Sequence, residues 1–134
     1  MRTHVISEMH AIAKLYDREM GKAAQKTGLS RLEADILTFL KNNPGMDIAS
    51  DIVEYRMLSK ANVSQGVESL IQKGYLSRDT DPVDRRRVHL RIAQKADQCL
   101  PCLIHAQESF AQALAMDFTP EEREKFAQMV AKIA

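Results

Sequence analysis

A chain of 134 residues that is 45% hydrophobic is long enough for one domain with a sizeable core. It has no apolar run of the about 18 residues that a membrane span needs, and its N-terminal stretch is amphipathic, unlike a signal peptide. The net charge of +1 decides little, but residues 56–95 hold nine Lys/Arg against four Asp/Glu, while the flanking segments are slightly acidic. That confined basic excess points to a polyanionic partner, the alternative being a solvated charge run. Two Cys without an export signal fit a reducing cytoplasm. No Gly-rich phosphate loop, nucleophile elbow or HExxH motif is present, so the sequence supports neither an enzyme nor a cofactor.

Val5, Met9, Ile12, Tyr16 and Met20 form one stripe of a helix over about residues 3–26, which Thr27-Gly28 closes. Ser30-Arg31-Leu32-Glu33 has the form of a capping box. It opens a second helix with Leu32, Ile36, Leu37 and Leu40 inward, broken at Asn42-Asn43-Pro44-Gly45. Met46-Asp47-Ile48 is expected to add a short strand to a later hairpin. Asp47 is expected to cap a third helix through about Tyr55, with Ile48, Ile52 and Val53 inward. Arg56-Met57-Leu58 is then the turn of a helix-turn-helix.

The fourth helix spans about residues 59–73. Ser59 suits its N-cap, Val63, Val67, Leu70 and Ile71 form its apolar face, and Gly74 stops it. Ala61, Asn62, Gln65 and Ser69 point the other way, on a face that is small, polar and almost uncharged. A solvated face carries more Lys and Glu, whereas a helix that reads base edges has this character, with Asn and Gln suited to adenine. Gly66 costs about 1 kcal/mol relative to Ala in a helix, and either close approach of another helix or simple tolerance accounts for it. Residues 75–92 read as a hairpin with a basic tip over 81–87, marked by the Asp81-Pro82 turn and by alternation from Arg87 to Ile92. On that alternation His89 shares a face with Arg87 and Arg91 and reads as a sheet-surface residue.

Beyond the hairpin, residues 93–116 read as one long helix with Leu100, Leu103, Phe110 and Leu114 on a seam, kinked at Pro101. Thr119-Pro120-Glu121-Glu122 is a second capping box. It opens a last helix with Phe126, Met129, Val130 and Ile133 on one side. The expected fold is mainly α with a small β-hairpin wing.

Asp81-Pro82-Val83-Asp84-Arg85-Arg86-Arg87-Val88-His89-Leu90 resembles the wing signature of the MarR family, the multiple antibiotic resistance regulators, with Asp84 and Arg86 on its Asp-x-Arg. Lys60-Ala61-Asn62-Val63-Ser64-Gln65 is similar to the start of that family's recognition helix, and Val67 to Leu76 to its exit into the wing. The resemblance spans essentially the whole chain. It implies a single domain whose winged-helix lobe covers about residues 30–92, with dimerisation helices at 1–28 and 93–134. It implies a homodimer, a pseudo-palindromic site on double-stranded DNA, often repression, and often a small-molecule effector between the dimer helices and the lobe. The chain departs from the family at the helix-turn-helix turn, which lacks the usual Gly, and at Ala93 and Ala96, where the family shows Thr and Gly.

The expected DNA contacts are Lys60, Ala61, Asn62, Ser64, Gln65 and Ser69 on the helix, and Asp84, Arg85, Arg86 and Arg87 on the wing. Arg86 suits the minor groove, where narrow A·T stretches concentrate negative potential. Asp84 is expected to hold a neighbouring Arg, and Arg85 and Arg87 to contact phosphate. The other reading of the tip is a plain turn with exposed charge. Cys99-Leu100-Pro101-Cys102 with His105 admits ordinary half-buried cysteines, a redox pair or a zinc site. Its place inside a helix without a βαβ pattern favours the first. Two function classes remain, a dimeric DNA-binding transcriptional regulator and a winged-helix protein-interaction module. The second requires aromatic or aliphatic anchors on the fourth helix, and that face has none.

Overall fold

The computed structural model describes residues 2–133. The elements run α1 (Arg2–Thr27), α2 (Arg31–Asn42), α3 (Ala49–Arg56), α4 (Lys60–Gln72), β1 (Leu76–Thr80) and β2 (Val88–Ile92), then a 3-10 turn (Gln94–Gln98), α5 (Leu100–Leu114) and α6 (Pro120–Ile133). β1 and β2 form an antiparallel pair in which Leu76 faces Ile92 and Thr80 faces Val88. This is the expected mainly helical chain with a hairpin wing.

α2 is the central helix. Its residues Glu33 to Leu40 are all buried, so neighbours enclose that stretch on every side. Around it pack Met20, Ala23 and Ala24 of α1, Ile52 of α3, Val63, Val67 and Leu70 of α4, Leu76 and Leu90 of the hairpin, and Leu100 and Leu103 of α5. The helix ends follow their local chemistry. Ser30 Oγ accepts from Glu33 N–H while Glu33 Oε1 accepts from Ser30 N–H, and Thr119 with Glu122 repeats the pattern at α6. Gly28 and Gly74 adopt φ of +73° and +83°. Leu29 and Tyr75 then donate back to Ala24 and Leu70, closing α1 and α4 with Schellman motifs.

Three local expectations give way. Pro101 lies in the first turn of α5, not inside a long helix. There its missing N–H is one the helix would leave unsatisfied anyway, so no kink follows. The preceding residues form the 3-10 turn instead, opened by Ala93 without a side-chain cap. Asp47 does not cap α3. Ile48 holds the cap position, where its apolar side chain accepts nothing, and Asp51 reaches back to Ile48 N–H. Met46-Asp47-Ile48 forms no strand, and its one ladder-like contact is Leu90 N–H to Asp47 O at 2.7 Å. The turn without Gly between α3 and α4 is made by Met57 at φ +53°, a left-handed conformation costly for a side chain with a Cβ.

The two chain ends are the least covered. On α1, Val5, Ile6, Met9 and Ile12 are exposed, and no described residue of α6 is buried. Among the described residues, no helix is long and apolar enough to cross a membrane.

Candidate nucleic-acid interface

α4 is held by its inner face and presents its outer one. Val63, Gly66, Val67 and Leu70 are buried against α2. A Cβ at Gly66 would sit 2.5 Å from Ile36 Cδ1 and 3.1 Å from Leu32 Cγ, so close helix approach is what the glycine serves. Ser59 Oγ accepts from Asn62 N–H at 3.0 Å and fixes the N-terminal end. On the outer side Ala61, Ser64, Gln65, Glu68, Ser69 and Gln72 line one open groove. Lys60, Ala61, Asn62, Ser64 and Gln65 are exposed. Ser69 is half-buried, and its hydroxyl donates to Glu33 Oε2 at 2.8 Å, so it serves the protein's interior first. Glu68 and Gln72 join this face although the sequence pattern does not mark them.

Glu33 is the buried anchor beneath that helix. Its side chain is 4% exposed and accepts from Ser30 N–H, Ser69 Oγ and Lys73 Nζ, each at 2.8 Å. Burial pushes its carboxyl up. Lys73, Ser30 and Ser69 together outweigh that and hold it below the usual range. The capping box accounts for Ser30, but Ser69 and Lys73 are 36 and 40 residues away, beyond what local pattern shows. Their i, i+4 spacing at the end of α4, with Lys73 at its C-cap, is the available signal.

The wing tip is built on carboxylates. Asp81 Oδ1 accepts from the N–H groups of Val83 and Asp84 at 2.8 and 2.9 Å, an Asx-type turn. Asp84 Oδ1 accepts from Arg86 N–H at 3.1 Å and from Arg86 Nε at 3.3 Å. The Arg86 side chain is nevertheless 93% exposed, and Arg85 and Arg87 are exposed beside it. The contact expected between Asp84 and a neighbouring Arg is therefore present. Glu68 and Arg78 pair between α4 and β1 and tie the helix to the wing.

His89 is not the plain sheet-surface residue that alternation suggests. Its Nδ1 lies 2.7 Å from Asp47 Oδ1 and its Nε2 lies 2.9 Å from Asp81 Oδ2, while Arg91 Nη1 donates to Asp47 Oδ2 at 2.8 Å. A cavity of about 380 Å³ opens between α3, α4 and the hairpin. It shares Lys60 and Ser64 with the exposed face of α4, and the residues lining it come from neither α1, α5 nor α6, so it is not the expected site between the dimer helices and the lobe. Val53, Val63, Val67, Val88 and Leu90 supply its apolar wall, and Lys60 and Arg78 are among its polar residues.

Cys99 is buried, donates to Ala96 O at 3.4 Å, and has its thiol pushed up by burial, away from the reactive thiolate. Cys102 is half-buried. His105 is exposed, with Nε2 3.4 Å from Ser109 Oγ. Among the described residues no three His, Cys, Asp or Glu side chains are placed to hold a metal ion.

Comparison with known proteins agrees with this geometry. A family model described as MarR family matches residues 27–87, from the end of α1 through the wing tip. The uncharacterized HTH-type transcriptional regulator YcgE of Bacillus subtilis (strain 168) is 31% identical over 115 residues, covering 84% of this chain and 72% of the relative. The HTH-type transcriptional regulator PecS of Dickeya dadantii (strain 3937) is 24% identical over 131 residues, covering 96% and 79%. Among solved structures, a MarR transcriptional regulator from Methanosarcina mazei Go1 superposes with a TM-score of 0.81 at 16% identity, over 98% of this chain and 94% of that one. A MarR family regulator from Listeria monocytogenes, complexed with 26mer DNA, gives 0.82 at 15% identity, over 96% and 85%. The capped helix, the wing and these matches converge, and this chain belongs to the MarR family of winged-helix transcriptional regulators.

Proposed function

We propose that the chain is a cytoplasmic homodimeric repressor that binds a pseudo-palindromic site on double-stranded DNA and is released by a small-molecule effector. In this reading α4 lies in the major groove and residues 81–87 lie in the minor groove. The observation that carries it is the pairing of an exposed, polar α4 face around Gln65 with a fully exposed Arg86 held at the wing tip. The Listeria regulator solved with DNA shares this fold and supports the reading. Dimerisation is supported by apolar side chains left uncovered on α1 and α6. Effector control is supported by the cavity against α4, where an occupant would touch the reading helix and the wing together.

Selection from a random DNA pool tests the whole reading. Two related half-sites with centres about 10 base pairs or a multiple apart are expected, as a twofold dimer requires. Recovery of unrelated sequences, or of none, contradicts it and favours a protein-interaction module.

A further inference from the structure

His89 joins two parts of the lobe that the backbone connects only distantly. Asp47 sits in the loop before α3, and Asp81 sits at the base of the wing tip. The His89 ring lies between them with each nitrogen against a different carboxylate, at 2.7 and 2.9 Å, and its side chain is 18% exposed. A neutral imidazole has one N–H, so one of these contacts would set a bare lone pair against a carboxylate oxygen. Only the imidazolium donates to both. The other oxygen of Asp81 shapes the tip by accepting from Val83 and Asp84, and Asp84 in turn accepts from Arg86. Contacts therefore run from the α3 loop through His89 to Arg86.

We propose that His89 is the positioning residue of the wing: as an imidazolium bridging Asp47 and Asp81 it fixes the turn that aims Arg86, so that DNA affinity follows its protonation. This rests on the DNA-binding reading above. The surrounding charges are consistent with it. Asp81 and Asp47 favour the protonated ring, burial opposes it, and Arg91 opposes it as well, with a net pKa above the ordinary histidine value. Asp79 faces His89 across the hairpin and engages Arg91 at 3.6 Å. Of the acids on the helices behind β2, Asp51 accepts from Ile48 N–H, Glu33 pairs with Lys73 and Asp35 with Arg31 and Arg56, while Glu54 is exposed. Loss of the proton thus breaks one of the two bridging contacts and removes one positive charge beside DNA, and both effects weaken binding. Because the pKa is raised, the bridge is complete below the ordinary histidine value and is lost as pH rises through the raised one.

The test is affinity for the selected site at constant salt from about pH 6 to about pH 9. It compares wild type with His89→Gln, alongside ¹⁵N shifts of the wild-type imidazole. Wild-type affinity is expected to fall by about tenfold across that range, the worth of one well-placed contact. His89→Gln should be flat, at the wild-type high-pH level, and both His89 ring nitrogens should carry protons at neutral pH. A pH profile shared by wild type and variant, or a neutral wild-type ring at neutral pH, overturns the proposal while leaving DNA binding intact. If the variant fails to fold, the wild-type ring shifts alone still decide between an imidazolium and a neutral ring. Absence of wild-type binding at every pH overturns the DNA reading, and this proposal with it.

Discussion

Glu33 shows how one side chain serves two helices. It completes the cap of α2 and, through Ser69 and Lys73, grips the far end of α4. Glu33→Gln keeps the size but removes the charge, leaving Lys73 without its partner in a site where the carboxylate is 4% exposed. Hydrogen bonds to a charged group contribute about 1.5–3 kcal/mol each, so a loss of that order is expected in urea unfolding at neutral pH. The sign with pH follows from the lowered pKa. The stabilisation is present above the unfolded carboxylate value and is lost as pH falls through the depressed one. The variant should therefore approach wild type in acid, and a constant difference at all pH values would contradict this role. The cap half of this residue's work is legible in Ser30-x-x-Glu33, because a capping box is local. The grip on α4 is not, because it depends on which helices meet. The partners of His89 escape the sequence for the same reason, since strand alternation gives the face of a residue and not the acid that a distant loop brings to it.

α4 and the hairpin are the most legible elements. Ser59, Gly74 and the Val63/Val67/Leu70 face each have a local cause, and each stands where the pattern puts it. Gly66 cannot be resolved from sequence, since propensity states what a glycine costs and not what lies opposite. The structure puts Ile36 and Leu32 there, which makes the outcome of Gly66→Ala a contest of two magnitudes. Alanine gains about 1 kcal/mol of helix propensity, while overpacking a filled core costs about 1–3 kcal/mol. Ile36 is fully buried and has little room to yield, so a net loss of stability is expected, measured by thermal unfolding. A more stable variant would show that α2 and α4 are joined loosely enough to take the extra methyl. Pro101 and Asp47 mark where element boundaries escape the sequence. A proline suits the first turn of a helix as well as it breaks the middle, and an Asp before a helix is free to be taken by a better partner. Here His89 and Arg91 take Asp47.

At the scale of the molecule, a band of apolar residues on the described chain ends stays exposed within one copy. Met9, Ile12, Ala13, Tyr16 and Phe110 line one open apolar surface, and Phe126, Met129, Val130 and Ile133 are exposed on α6. These stripes are legible from helical spacing, but what covers them is not, since one chain's pattern carries no mark of a partner. Burying an acid at Met9 should oppose association. Light scattering is expected to give a dimer for wild type and a lower mass for Met9→Glu, with affinity falling far more for a two-half-site DNA than for one half-site. A monomeric wild type would contradict the assembly. Whether α4 reads bases while the wing supplies charge is decided by binding over a series of salt concentrations. Arg86→Ala and Gln65→Ala are compared on the selected site and its single-base substitutions. Arg86→Ala should weaken all sequences alike and reduce the salt slope by about one counterion's worth. Gln65→Ala should cost about 1–3 kcal/mol at one base position and leave the slope unchanged. Uniform weakening by Gln65→Ala together with altered major-groove preference in Arg86→Ala would show that helix and wing do not divide the work in this way.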